Sequence, residues 1–301
     1  MPGLDHRVKI GSPDEWAEMS RTSDVPVTTY QVLGERSSGT NYVDKLVGQN
    51  FDVRSENLFQ WKHGYPITHF IPRSALVIVC FREPIDWLAS MHRKPWHAPD
   101  HFWNMPYSEF LRAPWHTQVD DWTVRDDLRE LRRLEHPARY LAGRFWNHFI
   151  RDRFPIHRGW VKASDQVHKS AFGLALQHDR HPVDGTVFAN ILQLRNAKTR
   201  GFLSLRNRGC NHVFVRFEVV RENPEAFLAA LGKEFDLAVQ KTFTPVDKWM
   251  GTLPDNQKPQ TGTTKTAPSA DDLAFIRREL DHEIEREVGY LTSIDGPNKS
   301  P

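Results

Sequence analysis

The chain has 301 residues, 39% hydrophobic and 26% charged, a balance that belongs to a folded globular protein and excludes disordered or collagen-like sequence. Forty Lys and Arg against 38 Asp and Glu give a formal net charge of +2, which excludes a broadly basic nucleic-acid surface and sends the search for partners to local sites. No apolar run of about eighteen residues occurs, and the opening MPGLDHRVKIGSPDEW lacks the apolar stretch of a signal peptide, so the expectation is a cytoplasmic chain with no membrane partner.

In chain order, residues 1–26 hold Gly, Pro, Ser and scattered charge without a sustained period and read as an N-terminal surface arm. VPVTTYQVLG is β-branched and ends at Gly34, and TNYVDKLVGQNF then sets Tyr42, Val43, Leu46 and Val47 on one helical face, the start of a βα unit. A second strand is expected at NLFQW, 57–61. SALVIVCF, 74–81, is the continuous apolar run of a strand buried on both faces of a parallel sheet, with Cys80 inside it as a structural thiol. EPIDWLASMHR opens a helix with Pro84 in its first turn, where a missing N–H costs least.

From about 94 to 155 the sequence reads as an aromatic-rich, largely helical insertion or lid, with Trp96, Phe102, Trp103, Tyr107, Phe110, Trp115 and Trp122 among prolines and histidines. Helical periods fall at 126–135, 138–153 and 187–206, a buried-type strand at 212–220 and a helix at 224–235. Residues 251–269 are poor in apolar side chains, 271–290 form one amphipathic closing helix, and 293–301 are a tail. The expected domain, 27–292, is a single α/β unit.

GERSSGT, 34–40, joins the first strand to its helix with the glycine spacing of a phosphate loop, in which backbone N–H groups and the helix dipole favour an anion. The candidate ligands are Gly34, Arg36, Ser37, Ser38, Gly39, Thr40 and Asn41. Nucleotide hydrolases place Lys and then Ser or Thr where this chain has Thr40 and Asn41, and Asp at the later strand end where this chain has Arg82. A glycine-rich turn with no ligand is the bland alternative. Arg82, and Ser90 two turns into the next helix, are placed to meet on one phosphate at the carboxyl edge of the sheet.

GERSSGTNYV, FREPIDWLAS, VFVRFEVVRENPEAFLAAL and EIEREVGY resemble, in that order, the sulfotransferases that use 3′-phosphoadenosine 5′-phosphosulfate (PAPS). The resemblance implies a three-layer P-loop-type fold with a central, mostly parallel sheet flanked by helices. It implies PAPS as donor, with adenosine 3′,5′-bisphosphate (PAP) as product, and a small-molecule or carbohydrate acceptor. The glycine-containing loop would hold the 5′-phosphosulfate, and Arg82 and Ser90 the 3′-phosphate. Cytosolic members carry a lysine at the place of Ser37, and here the nearest cation is Arg36.

WKHGYP, 61–66, looks like the family's base segment shortened by one residue. It supplies His63 as the candidate general base and Lys62 as the cation on the leaving nucleotide. His97 and His101 are four apart, but Pro99 between them argues against a helix and no glutamate completes a zinc motif, so no metal is expected. Two rivals stay open: a phosphotransferase on the same kind of loop, and a nucleotide-binding protein without catalysis.

Overall fold

The computed structural model describes residues 7–11, 15–56, 62–66, 68, 70–98, 100–115, 117, 179–238, 242–247 and 267–290. The expected strand at 57–61, the helices at 126–135 and 138–153, Trp122, the stretch 251–266 and the tail 293–301 lie outside the described residues.

Among the described residues six strands form one mixed sheet in the order β1-β2-β6-β5-β3-β4. They are β1 (Arg7–Lys9), β2 (Trp16–Ser20), β3 (Thr29–Leu33), β4 (Arg54–Ser55), β5 (Ala75–Phe81) and β6 (Asn211–Arg216). β4, β3, β5 and β6 run parallel, while β2 joins β6 and β1 joins β2 in antiparallel fashion. Among the described residues eight α-helices accompany them: α1 (Thr40–Asn50), α2 (Pro84–Arg93), α3 (Tyr107–Arg112), α4 (Ile191–Leu203), α5 (Phe217–Glu222), α6 (Pro224–Phe235), α7 (Ala270–Glu279) and α8 (His282–Glu287).

All seven residues of β5 are buried, as its apolar run requires. Leu76, Ile78 and Cys80 face one layer with Val43, Leu46 and Val47 of α1 and Phe227 and Leu231 of α6, whereas Ala75, Val77, Val79 and Phe81 face Phe202 of α4 and Ile284 of α8. The period of two along the strand thus puts helices on both faces, and the chain is a general α/β fold. A third cluster holds Trp87, Phe102, Tyr107, Phe110 and Trp115 with Ile191 and Leu194, so most of the described aromatics of the insertion are core. Cys80 and Cys210 are both buried and free.

Three expectations need correction. The N-terminal segment is no mere arm: Ala17 and Met19 are buried as alternate residues of β2, and the segment extends the sheet beyond β6. The run 212–220 is strand only to Arg216, after which α5 turns Val219 and Val220 into the core; the β-branched composition gave way to packing. The closing segment is two helices, broken at Leu280 and restarted by Asp281, whose carboxylate caps α8.

Candidate functional site

Within the parallel set, β3 lies between β4 and β5, so the connection leaving β3 and the connection leaving β5 part to opposite sides of the sheet. The crevice at such a switch point, outside the strand carboxyl ends, is where open α/β sheets take ligands. The glycine-rich loop enters it from β3, and Arg82 enters it from β5.

Three successive loop carbonyls are held from the β5 and α2 side. Trp87 Nε1 donates to the Arg36 carbonyl at 2.8 Å, Arg82 Nη1 to that of Ser37 at 2.8 Å, and the Cys80 thiol to that of Ser38 at 3.0 Å. A trans peptide sets its N–H opposite its C=O, so the N–H groups of Ser37 and Gly39 point away from these donors. The Ser38 N–H is spent on the Glu35 carbonyl at 3.1 Å, and the Ser38 hydroxyl on the same oxygen at 2.6 Å. Buried Thr40 and exposed Asn41 open α1, whose N-terminus has no side-chain cap, in contrast to α2, α4, α7 and α8. Uncapped N–H groups and the helix dipole beside the outward N–H of Ser37 and Gly39 make a donor set suited to an anion.

Three residues of the loop have positive φ: Gly34 at 152°, Ser37 at 62° and Gly39 at 90°. A Cβ on Gly39 would stand 2.1 Å from the Phe217 ring, so the glycine is required by Phe217 as well as by the turn. Phe217 in turn packs edge-on against Tyr42 at 5.7 Å and lies 5.5 Å from the guanidinium carbons of both Arg82 and Arg221.

Gly34 links the loop to the candidate base. Its N–H donates to the Lys62 carbonyl at 2.9 Å, and its own carbonyl lies 2.6 Å from His63 Nδ1. A carbonyl can only accept, so Nδ1 carries the proton and Nε2 is the basic nitrogen of the neutral ring. Burial, and then the neighbouring Lys62 cation, push the His63 pKa well below its ordinary value, which keeps the ring neutral at pH 7. The Lys62 ammonium donates to Asn41 Oδ1 at the mouth of the loop; its pKa is lowered by burial, against the pull of Asp44.

Arg36, expected among the anion ligands, is elsewhere. It is 2% exposed and lies under the loop, with Nε 3.0 Å from Glu35 and Nη2 2.5 Å from Asp179. Lys198 also meets Asp179, at 2.7 Å, and donates to the His63 carbonyl at 2.6 Å. Burial alone would raise the Asp179 carboxyl, but Arg36 and Lys198 outweigh it and hold the group below the usual carboxylate range. Glu35 goes the other way: its burial outweighs Arg36 and Lys198, and its pKa is raised.

Arg82 directly follows β5 and half-buried Ser90 lies two turns into α2, and no hydrogen bond joins them among the described residues. Arg82 Nε is buried without a hydrogen-bond partner. Burial lowers the Arg82 pKa, as do Arg93 and Arg221, against Asp86 and Glu218. No group of three or more His, Cys, Asp or Glu able to hold a metal occurs among the described residues.

Asp179 and Lys198 were missed in the sequence. A signal for Lys198 existed, because Ile191, Leu194, Arg195, Lys198 and Phe202 follow the helical period, and two cations inside an apolar stripe require buried partners. Comparison with family models, with curated proteins and with solved structures returns no match, so the functional reading stands on this geometry and the sequence motifs. No helix among the described residues is long and apolar enough to cross a membrane.

Proposed function

We propose that the chain is a P-loop-type sulfotransferase that moves a sulfuryl group from PAPS to a hydroxyl or amine of a small-molecule or carbohydrate acceptor. The observation that supports the reading is a pair of donor groups at one sheet edge: the N–H groups of Ser37, Gly39, Thr40 and Asn41, and Arg82 with its buried, unpaired Nε. A donor with phosphate at one end and phosphosulfate at the other needs two such places. The orphaned Nε is a donor awaiting an acceptor, and on that test Arg82 fits a phosphate.

The donor supplies an activated sulfuryl group; the remaining work falls to the protein. The N–H groups of Ser37, Gly39, Thr40 and Asn41 take the charge of the 5′ end, and Arg82, with Ser90 on α2, takes the 3′-phosphate. Phe217, 5.5 Å from the guanidinium carbons of Arg82 and Arg221, is the aromatic side chain assigned to the nucleotide. His63, its Nδ1 fixed on the Gly34 carbonyl, accepts the acceptor proton at Nε2. Lys62 exchanges Asn41 for the oxygen on which charge develops as the nucleotide leaves.

Calorimetric titration with PAPS, PAP, adenosine 5′-phosphate and ATP tests the reading. PAP should bind better than adenosine 5′-phosphate, and Arg82→Ala should weaken PAP by about 1.5–3 kcal/mol while sparing the monophosphate. Equal losses for both ligands would remove Arg82 from the 3′ site, and a preference for ATP would favour a phosphotransferase.

A further inference from the structure

The peptide between Arg82 and Glu83 is gripped from two sides. Arg195 of α4 donates from Nη2 to the Arg82 carbonyl at 2.9 Å, and meets both oxygens of Glu285 of α8 at 2.6 and 2.8 Å. On the other side the Glu83 N–H donates to Glu218 Oε1 at 3.1 Å, and Glu218 Oε2 accepts from the Tyr290 hydroxyl at 2.7 Å. Both chains of contacts end in one short stretch of the C-terminal region, because the Tyr290 N–H donates to the Glu285 carbonyl at 2.8 Å.

These groups are costly where they lie. Arg195 is 5% exposed, Tyr290 4% and Glu285 0%, and a buried ion pair is seldom more stable than apolar packing of the same volume. Stability alone therefore does not explain them. Two independent chains converge on one peptide, and that peptide carries the strand-tip arginine of the anion site. The Arg82 side chain itself has one hydrogen bond, to the Ser37 carbonyl, so the guanidinium goes where its backbone is held.

We propose that Arg195 with Glu285, and Glu218 with Tyr290, are positioning residues that fix the Arg82–Glu83 peptide and thereby aim Arg82 at the terminal phosphate of a bisphosphate nucleotide. The proposal rests on the sulfotransferase reading. Its consequence is that a C-terminal turn, remote in sequence from the loop, sets the selectivity of the site for the 3′-phosphate.

A double-mutant cycle tests it, with PAP and adenosine 5′-phosphate as calorimetric probes on the full chain. Tyr290→Phe keeps the buried ring and removes only the hydroxyl. It should weaken PAP about tenfold and leave adenosine 5′-phosphate within about twofold. In an Arg82→Ala background the same substitution should change nothing, since no guanidinium remains to be aimed. Glu218→Gln, of the same size, serves as the second variant if Tyr290→Phe lowers the melting temperature, and the same non-additivity is expected. Losses that add in the double variant, or that fall equally on both nucleotides, would overturn the positioning role and leave the nucleotide site standing. Failure of the unmodified protein to bind either nucleotide would overturn the sulfotransferase reading and the positioning role with it.

Discussion

Two of the arginines at the carboxyl edge of the sheet, Arg36 from the loop after β3 and Arg82 from the end of β5, lie in opposite surroundings. Arg36 is sealed beneath the loop between two carboxylates and shares Asp179 with Lys198, so its charge is consumed inside the protein. Arg82 is half-buried, its guanidinium resting on a carbonyl and near the face of Phe217, with one N–H unpaired. The difference teaches that a cation near an anion site is not thereby a ligand of it. Successive side chains of a tight turn point in different directions, and one residue of shift moves a guanidinium from the crevice to the core. The two sides of the loop therefore differ: the underside holds the loop in shape, and the upper side is the part to which the proposed donor is assigned.

The largest expected effect probes the candidate base. His63→Ala should lower turnover by about 10² to 10⁴, the usual range for a positioned general base, while leaving donor affinity nearly unchanged. A labelled-donor assay across pH would also locate the acid limb of the parental protein. That limb should fall below the ordinary histidine value of 6.5, because burial and Lys62 both depress the ring. A folded variant with the parental rate would move the base elsewhere.

Next in size is the underside. Arg36→Ala leaves Asp179 and Glu35 buried with less compensation, and should cost about 3–5 kcal/mol in urea unfolding. The pH dependence gives the sign. The Asp179 pKa is held below its ordinary 3.8, so its contribution to stability is present above that value and is lost as pH falls through the lower folded value. Removing Arg36 should shrink this acid-dependent part. A variant of unchanged stability that merely lost nucleotide affinity would place Arg36 on the ligand side after all and erase the contrast.

The smallest effect sharpens the division. Ser37 is partly exposed at φ 62°, on the upper side and next to Arg36 in sequence. Ser37→Lys should strengthen PAPS binding severalfold at low salt, as an added surface cation near an anion does, with the gain fading as salt screens it. Weaker binding would mean that the place is already filled.

Much of the frame was legible because it depends on local pattern. The all-apolar β5 run, the Pro84 helix start, the glycine spacing of 34–40 and the face formed by Val43, Leu46 and Val47 each express a period or a backbone need that neighbours in sequence satisfy among themselves. The segment Trp16–Ser20 escaped because five residues carry too little alternation to stand out, and α5 escaped because a β-branched run fits helix and strand alike until packing chooses.

What the sequence determined by itself is the α/β character of the chain, its βα loop with anion-loop spacing and the presence of Arg82 just beyond a strand end. What only the tertiary structure decided is the direction of each charge. Asp179 lies 143 positions after Arg36, Glu285 lies 90 after Arg195 and Tyr290 lies 72 after Glu218, and each pair meets through the crossing of separate elements. No period or motif records such meetings, because the burial that makes a carboxylate seek a cation does not exist until the layers close around it.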